Sequence, residues 1–290
     1  MPSFDPNDAR PKVAGVIGDP IRQSKSPTLF QHWFSKHDVP GHYVPLHVRA
    51  DNFEQVLSAL PKAGFRGVNV TVPHKLKALA CADLCSDAAT AIGAANTLTF
   101  MRDGRIHADN TDGYGFLQNL QSTATGWAPD AGPVAVLGSG GAARAAIYIL
   151  LQAQVPEIRL SNRTRDKAEV IADHFGRKIT VVDWDERSAM LTGCATIVNT
   201  TSLGMVGAGP LEISLDDADQ AALVTDMVYN PLKTDLLLQA ERRGMRVVDG
   251  LGMLLHQARP GFGRWFGPDP EVTEDLRRAC LLAEQPLGQT

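Results

Sequence analysis

The sequence predicts an α/β fold, because short apolar strand patterns alternate with helical patterns along most of its 290 residues. The alternation is most regular in the second half, where six apolar segments are separated by stretches that mostly have helical spacing. Such an alternation implies a parallel sheet with helices on both faces. The six predicted strands are residues 133–138, 157–162, 179–184, 196–201, 223–228 and 245–249.

The first of these strands leads into a glycine-rich turn with the spacing G-x-G-x-x-A, which is the fingerprint of a dinucleotide-binding loop. Gly138 permits the tight turn, Gly140 lets the backbone approach a pyrophosphate, and Ala143 lets the following helix pack closely on the strand. That helix, from about Ala142, offers free N–H groups and a positive dipole end to phosphates. The predicted cofactor-binding residues of this loop are Gly138, Ser139, Gly140, Gly141 and Ala142.

The end of the next strand indicates which dinucleotide binds. A chain selective for NAD usually has Asp or Glu there, to bind the ribose 2′-hydroxyl. This sequence has Asn162, Arg163 and Thr164, and Arg165 and Lys167 follow. An acidic side chain would repel a 2′-phosphate, whereas a guanidinium and a hydroxyl can bind it. The pattern predicts NADP(H), with cofactor ligands Asn162, Arg163, Thr164 and Lys167.

The first half combines strand and helix patterns in the same way. The clearest strand is residues 67–73, in which Val68, Val70 and Val72 face one side until the proline at its end. A helix is predicted to begin near Ser26, with this serine as N-cap and the following proline as first helical residue. The other predicted elements are strands 13–17, 43–48 and 94–100, a turn at 103–104, and helices 52–63, 75–85, 253–259 and 272–285.

Composition narrows the class of protein. A formal net charge of −4 argues against nucleic-acid binding as a main function, and no apolar run is long enough to span a membrane. Residues 1–10 lack the features of a signal peptide and are expected to form a flexible leader. The 4 cysteines do not form a disulfide scaffold, and Cys81 and Cys85, one helical turn apart, are expected to pack as small apolar side chains. We therefore expect reduced thiols and a cytoplasmic location.

Six motifs occur in a fixed order along the chain. They are GDPIRQSKSP (18–27), NVTVPHK (69–75), AANT (94–97) with DNTDG (109–113), GSGGAAR (138–144), NRT (162–164) and DGLGMLLHQA (249–258). Together they closely resemble the shikimate dehydrogenase family, from about Val13 to the C-terminal helix. Each motif is weak evidence alone, but six in order are highly specific.

The resemblance implies an N-terminal α/β substrate domain, residues 1–114, to which C-terminal helices within residues 250–290 return. A Rossmann-like NADP-binding domain, residues 115–249, is inserted between them. The implied activity is the reversible reduction of 3-dehydroshikimate to shikimate with NADPH, in chorismate and aromatic amino-acid biosynthesis. The implied partners are small molecules, without nucleic acid or membrane, for a monomer or homodimer. Three alternatives stay open: a quinate/shikimate dehydrogenase, an aminoshikimate dehydrogenase, and a non-catalytic ligand-binding homologue.

By the same resemblance, Lys75 and Asp112 form the catalytic pair. Reduction of a ketone by hydride needs a proton for the developing alkoxide. A lysine desolvated in a cleft can have its pKa lowered towards neutrality, while a nearby carboxylate raises that pKa again. Without the family pattern, Lys75 would be a solvated surface lysine and Asp112 part of a polar turn. The sequence leaves open which of the two transfers the proton, because coupled sites share their titration.

The remaining site residues follow from the resemblance and from local chemistry. Two hydroxyls beside a helix N-terminus suit a carboxylate, and the family assigns that role to its two serines, with a tyrosine nearby. Asn96 is preferred over Asn110 as the hydroxyl ligand. The predicted substrate-binding residues are Ser24, Ser26, Thr71, Asn96, Tyr229 and Gln257. Gly250 and Met253 match positions that contact the nicotinamide half of the cofactor, and Met227 matches a cofactor-side residue.

A few residues depart from these patterns. His107 and Asp109 could suggest a metal pair, but two such ligands in a turn region are usually polar surface, so no metal is predicted. Phe30 and Gln31 stand where the family commonly has His-Asn, and His74 stands where other members often have Phe. These departures flank the predicted site and leave every predicted catalytic position intact.

Overall fold

The computed structural model describes residues 5–8 and 10–283, and the chain forms two compact units. Unit 1 combines the residues up to Thr111 with those from Gln257 onwards, and unit 2 is the continuous segment between them, residues 112–256. Each unit contains a six-stranded sheet. The assignment of substrate binding and cofactor binding to separate domains stays a prediction.

Strands and helices alternate along the part of the chain that the structure describes, which confirms the predicted α/β class. The strands are β1 (Val13–Gly18), β2 (His42–His47), β3 (Gly67–Val70), β4 (Leu84–Cys85), β5 (Thr97–Phe100), β6 (Ile106–Asp109), β7 (Val134–Leu137), β8 (Ile158–Ser161), β9 (Ile179–Val182), β10 (Thr196–Asn199), β11 (Leu223–Asp226) and β12 (Arg246–Val248). The helices are α1 (Ser26–Lys36), α2 (Phe53–Ala59), α3 (Lys75–Ala80), α4 (Asp87–Ile92), α5 (Asp112–Thr123), α6 (Gly141–Gln152), α7 (Arg165–Phe175), α8 (Asp235–Arg242), α9 (Leu251–Phe266) and α10 (Glu274–Leu282). Among these described helices, none has the length and apolar composition needed to cross a membrane.

The sheet of unit 1 has the strand order β2-β1-β3-β5-β6-β4 and is mixed. Strand β1 pairs in parallel with both β2 and β3, whereas β5 is antiparallel to both β3 and β6. The central strands β3 and β5 are buried along their whole length. This order brings residues that are far apart in the sequence onto neighbouring strands.

A helix and a strand of unit 1 end earlier than predicted. The helix predicted for residues 75–85 ends at Ala80, because residues 84–85 form the edge strand β4, which pairs with β6. As a result Cys85 is exposed rather than packed as an apolar side chain, and Cys81 is half-buried. Strand β3 ends at Val70, so Val72 lies beyond the sheet and is 64% exposed instead of facing the core.

An aromatic cluster joins α1 to α9 within unit 1. Its six rings are those of Phe30, Trp33, Phe34, Phe262, Trp265 and Phe266, all almost fully buried. Helix α9 therefore continues well beyond the predicted range 253–259 and passes through Pro260. A proline inside a helix costs about 3 kcal/mol, and burial of each large apolar side chain returns about 1.5–3 kcal/mol. The aromatic residues after the proline outweigh its cost.

The sheet of unit 2 has the strand order β12-β11-β10-β7-β8-β9 and is parallel throughout. All six predicted strands are confirmed, each within two residues of its predicted ends. The central strands β7, β10 and β11 are buried at every position, as expected for a sheet covered on both faces. The carboxyl ends of β7, β8, β10 and β11 share one edge of the sheet, where open α/β sheets bind ligands.

Part of the predicted flexible leader is bound to unit 1. The guanidinium of Arg66 donates to the carbonyls of Asp8 and Arg10, at 2.9 Å each. The Arg10 side chain in turn donates to the Phe100 carbonyl at 2.9 Å. These bonds correct the prediction for residues 8 and 10, while residues 1–4 and 9 lie outside the described residues. The closing helix is confirmed as α10, although the last two residues of its predicted range, 284–285, also lie outside the described residues.

Candidate active site

Ser24 and Ser26 lie where the chain enters α1. Ser26 is the first residue of α1 and Lys25 occupies the N-cap position, so the prediction that Ser26 is the N-cap is wrong. The reason is that Lys25 already has helical backbone angles, φ −86° and ψ −5°, and the preceding turn continues into the helix. The Ser24 hydroxyl accepts the N–H of Ser26 at 3.3 Å, and Ser24 thus supplies a capping contact. Ser26 is buried and Ser24 is half-buried.

Lys75 is the first residue of α3, just after the turn that follows β3. The N–H of His74 donates to the Thr71 carbonyl at 3.0 Å, which fixes this turn. The carbonyl of Lys75 accepts the N–H of Ala95 at 2.9 Å. The backbone of Lys75 is therefore held beside the segment that carries Asn96. Both Lys75 and Thr71 are half-buried.

The departures from the family pattern occupy the core or the surface next to these residues. His74 is buried and stacks on Phe53 with ring centroids 4.7 Å apart, and its Nε2 lies 2.6 Å from the Val48 carbonyl oxygen. Because a carbonyl only accepts, Nε2 carries the proton. Phe30 is fully buried in the aromatic cluster, whereas Gln31 is exposed. His74 and Phe30, which differ from the residues common in the family, therefore affect the packing of the core.

Asn96 and Gln257, two predicted substrate ligands, contact each other. The Asn96 side chain donates from Nδ2 to Oε1 of Gln257 at 3.0 Å. Its Oδ1 accepts the N–H of Thr111 at 2.8 Å and the hydroxyl of Thr97 at 2.9 Å. Asn110, the alternative ligand, donates to the Ala94 carbonyl at 2.9 Å and thereby stabilises its own turn. Both amides therefore have partners within unit 1, and the choice of Asn96 as the ligand stays a prediction.

His107 and Asp109 are buried, which corrects their interpretation as polar surface. Asp109 pairs with Arg264 of α9 and accepts a hydrogen bond from Ser86. Burial raises the pKa of Asp109. The charge of Arg264 and these hydrogen bonds have a larger, opposite effect, so the pKa lies below its ordinary value. Burial and the same guanidinium lower the pKa of His107, against the opposing effect of Asp109. Among the described residues, no group of three His, Cys, Asp or Glu side chains could hold a metal ion.

Asp112 is the first residue of α5 and is buried in unit 2, so the motif that resembles a polar turn begins a helix of 12 residues. The next residue explains the close packing there. A Cβ on Gly113 would come within 2.8 Å of the Ala145 carbonyl oxygen, so only glycine lets α5 approach α6 this closely. The glycine thus sets the position of the helix that carries Asp112.

The glycine loop between β7 and α6 has the properties of a pyrophosphate cradle. Gly138 has φ +110°, and a Cβ there would lie 2.7 Å from the hydroxyl of Thr200. No atom lies within 4 Å of a Cβ built on Gly140 or Gly141, so space is open above them. Gly140 is the N-cap of α6, and no side chain caps the helix. Open space at an uncapped helix N-terminus fits a dinucleotide pyrophosphate.

The segment after β8 carries the residues predicted to select NADP(H). Arg163, Thr164 and Lys167 are exposed, and Asn162 donates from Nδ2 to the Thr164 carbonyl at 2.8 Å. Arg165 differs from them, because it pairs with Glu169 at 2.8 Å and with Asp183 at 2.6 Å. Its charge is therefore engaged by two carboxylates. The exposed cation that immediately follows the strand is Arg163, which fits a 2′-phosphate.

Met227 and Gly250, both predicted to bind the cofactor, lie together in unit 2. A Cβ on Gly250 would meet the Met227 carbonyl oxygen at 2.5 Å, so the two backbones pass in close contact. Met253 and Met227 both pack against the apolar core of the unit. Tyr229 is half-buried just after β11, and burial raises its pKa. The structure places Tyr229 in unit 2, whereas Ser24 and Ser26 belong to unit 1.

Sequence reasoning missed a buried polar network at the carboxyl ends of β10 and β11. Asp226 accepts hydrogen bonds from Asn199 at 3.0 Å and Thr234 at 2.7 Å. The Asn199 side chain also accepts the N–H and the hydroxyl of Thr201, at 3.0 and 2.7 Å. The polar residues at the ends of these two strands are a signal in the sequence for such a network. Their hydrogen-bond partners could not be predicted, because they depend on which strands are neighbours.

Two family models match the chain. A model described as "Shikimate dehydrogenase substrate binding domain" matches residues 16–98, and one described as "Shikimate / quinate 5-dehydrogenase" matches residues 128–227. A relative from Dinoroseobacter shibae, named "Shikimate dehydrogenase (NADP(+))", is 56% identical over 93% of this chain and 97% of its own length.

Solved structures show the same fold over nearly the whole chain. Shikimate 5-dehydrogenase from Thermus thermophilus in complex with NADP(H) and shikimate has a TM-score of 0.83 at 32% identity, covering 93% of this chain and 98% of that chain. Quinate dehydrogenase from Corynebacterium glutamicum in complex with NAD has a TM-score of 0.86 at 26% identity, covering 93% and 98%. Fold similarity alone therefore does not separate the two activities.

Proposed function

The chain belongs to the shikimate dehydrogenase family, and from that premise we propose that it is an NADP-dependent oxidoreductase that interconverts 3-dehydroshikimate and shikimate. The reaction is a step of chorismate and aromatic amino-acid biosynthesis. The observation that carries the proposal is 56% identity over 93% of the chain with a relative named for this activity. A match of that extent includes every segment that carries a proposed ligand.

Ser24 and Ser26 are proposed to bind the substrate carboxylate. Ser26 is buried at the first turn of α1, where backbone N–H groups and the helix dipole favour an anion. Ser24 already lies next to it, as its hydroxyl accepts the Ser26 N–H. Tyr229 is proposed as a further group near the carboxylate.

Asn96, Gln257 and Thr71 are proposed to bind the ring hydroxyls. The bond from Asn96 to Gln257 turns Oε1 of Gln257 towards Asn96, so the amide Nε2 of Gln257 points away from it. An amide held in this way presents an N–H donor with a defined direction. Fixed donors let a site distinguish substrates by the position of a hydroxyl.

Lys75 and Asp112 are proposed to act at the reacting oxygen. In the reduction, Lys75 donates a proton as the alkoxide develops, and in the reverse direction it accepts that proton from the hydroxyl. Asp112 is proposed to bind the same hydroxyl and to orient the ammonium.

NADP(H) is the proposed cofactor, and when bound its reduced nicotinamide supplies the hydride. The open space above Gly140 and the uncapped start of α6 suit the pyrophosphate. Residues 162–164 and Lys167 suit the 2′-phosphate, since they offer an exposed cation, a hydroxyl and no carboxylate. Met227, Gly250 and Met253 are proposed to shape the nicotinamide pocket.

The test is oxidation of NADPH on addition of 3-dehydroshikimate, followed by the absorbance of the reduced nicotinamide. We expect rapid turnover by the wild type and a fall in kcat of about 10²–10⁴ in the variant Lys75→Met, the contribution of a positioned proton donor. Lys77→Met is the matched control, because Lys77 lies on the same helix and its exposed side chain donates to the Ala50 carbonyl. A Lys75→Met protein with near-wild-type kcat would rule out the assigned acid.

The same assay separates the competing activities. Values of kcat/KM for shikimate, quinate and aminoshikimate, each with NADP⁺ and NAD⁺, decide substrate and cofactor preference. Preference for quinate and NAD⁺ would reject the proposal. A wild type that binds shikimate without any change in nicotinamide absorbance would instead indicate a non-catalytic binding protein.

We further propose a cytoplasmic protein that is a monomer or a homodimer. All four cysteines are free, which supports a reducing compartment. Light scattering coupled to size-exclusion chromatography would determine the oligomeric state, and cell fractionation the location.

A further inference from the structure

A tyrosine hydroxyl lies buried in unit 1 and has no part in the proposed chemistry. Tyr43, on β2, is 8% exposed, and its ring stacks on Phe30 with centroids 3.7 Å apart. Its hydroxyl donates to Oδ1 of Asn69 at 2.7 Å. The phenolic oxygen is therefore the donor to a buried amide oxygen.

The network continues from Asn69 along the neighbouring strand. The Asn69 side chain donates from Nδ2 to the Thr97 hydroxyl at 3.1 Å and to the Asn96 carbonyl at 3.2 Å. The Thr97 hydroxyl in turn donates to Oδ1 of Asn96 at 2.9 Å, and it lies 3.2 Å from the Thr111 hydroxyl. Asn96 then donates to Gln257 at 3.0 Å. Every bond from Tyr43 to Gln257 has the same donor-to-acceptor direction.

This direction determines the orientation of three side-chain amides. An amide can rotate by half a turn, which exchanges its donor and its acceptor. Asn69 is held because its oxygen faces a phenolic donor, and Asn96 because its oxygen faces a hydroxyl donor and the Thr111 N–H. If the Tyr43 hydroxyl is removed, the oxygen of Asn69 loses its donor in a buried position, and the first of the contacts that orient the amides is lost.

We propose that Tyr43 is a positioning residue for substrate recognition, whose hydroxyl orients Asn69 and, through Thr97, the amides of Asn96 and Gln257. The inference rests on the proposed function, because Asn96 and Gln257 are its hydroxyl ligands there.

The test is the variant Tyr43→Phe, which keeps the ring and its stacking on Phe30 but removes the hydroxyl. We expect KM for shikimate to rise about 10-fold, because the buried oxygen of Asn69 loses its donor and the amides that bind the substrate are held less firmly. The value of kcat and KM for NADP⁺ should stay within about 2-fold of the wild type, because the chemical step and unit 2 are untouched. Tyr148→Phe is the matched control, as this half-buried tyrosine lies on α6 of unit 2.

A double-mutant cycle separates positioning from a general loss of structure. If Tyr43 acts through Asn96, adding Tyr43→Phe to Asn96→Ala should leave KM for shikimate unchanged from that of Asn96→Ala alone. Thr97→Val breaks the relay at another bond with little change in shape, and it should reproduce the rise in KM even if Tyr43→Phe fails to fold.

The assignment is overturned if Tyr43→Phe and Thr97→Val both keep the wild-type KM for shikimate. It is also overturned if the two substitutions in the cycle have additive effects, or if KM for NADP⁺ rises as much as KM for shikimate. A wild type that does not oxidise shikimate contradicts the proposed function itself, and the assignment falls with it. The wild-type assay therefore distinguishes the two failures.

Discussion

Arg264 and Asp109 form a buried ion pair in unit 1, with side-chain exposures of 11% and 4%. Asp109 also accepts the N–H of Asn110 at 2.8 Å, so the pair holds the loop that leads to Thr111. Arg264 lies two helical turns after Gln257, on the same side of α9. One face of α9 therefore carries both a substrate ligand and the anchor of the loop beside it.

We expect Arg264→Met to lower the free energy of unfolding by about 3–5 kcal/mol, because it leaves the Asp109 carboxylate buried without its counter-charge. Urea denaturation at neutral pH measures this loss. Arg243→Met is the control, since Arg243 pairs at the surface with Asp216, which is 81% exposed, and such pairs contribute about 0–1 kcal/mol. Equal losses in the two variants would contradict the role given to the buried pair.

His107 should make stability depend on pH. Burial and the neighbouring Arg264 lower its pKa below the ordinary value of 6.5, while Asp109 opposes the shift. Between the folded-state pKa and that value, the unfolded chain binds more protons, so stability rises with pH. The contribution is complete above the ordinary pKa and is lost as the pH falls through the folded pKa. Urea midpoints across this range should rise less steeply for His107→Gln, and parallel curves would refute the prediction.

Replacement by alanine should have different effects at Gly138 and Gly140, two glycines of the cofactor loop. Gly138→Ala places a Cβ 2.7 Å from the Thr200 hydroxyl at φ +110°, so we expect a lower melting temperature without cofactor. Gly140→Ala meets no atom within 4 Å, so we expect an unchanged melting temperature and weaker binding of NADP⁺. Thermal unfolding and calorimetric titration measure the two effects. Unaltered NADP⁺ affinity in Gly140→Ala would count against the proposed cradle.

Cofactor preference should depend on Arg163 rather than on Arg165. We expect Arg163→Ala to raise KM for NADP⁺ by about 10–100-fold, the contribution of a charge-assisted hydrogen bond, with little effect on NAD⁺. Arg165→Ala should change the ratio of KM for NADP⁺ to KM for NAD⁺ much less, because Arg165 already pairs with Glu169 and Asp183. Initial rates with the two cofactors give the ratio. A larger effect from Arg165 would reverse the assignment.

The parallel sheet of unit 2 could be predicted closely from the sequence, because strands covered on both faces are short apolar runs between helical patterns. Strand β4 and helix α5 could not. Strand β4 has two residues and forms only because an edge of β6 is available to it. Helix α5 begins with Asp112 and Gly113, a pair typical of turns, and tertiary packing against α6 overrides that preference.

The motifs identified the proposed ligands but not the residues that orient them. Tyr43, Asn69 and Thr97 lie on three different strands or their ends, and no local spacing relates them. They meet because the strand order β2-β1-β3-β5 places β3 next to β5 and only one strand away from β2. Likewise the partner of Asp109 is 155 residues away. Long-range pairing of this kind depends on strand order, which a single sequence does not reveal.

The division of the chain has a consequence for synthesis. Unit 2 is one uninterrupted segment, whereas unit 1 needs α9 to cover its aromatic cluster and to neutralise Asp109. On a ribosome, which extends the chain by about 5–20 residues per second, the later segment emerges only after the whole of unit 2. The sheet of unit 1 therefore lacks α9, and its apolar face stays uncovered, until the synthesis of unit 2 is complete. During this interval the nascent chain is open to aggregation and to chaperone binding.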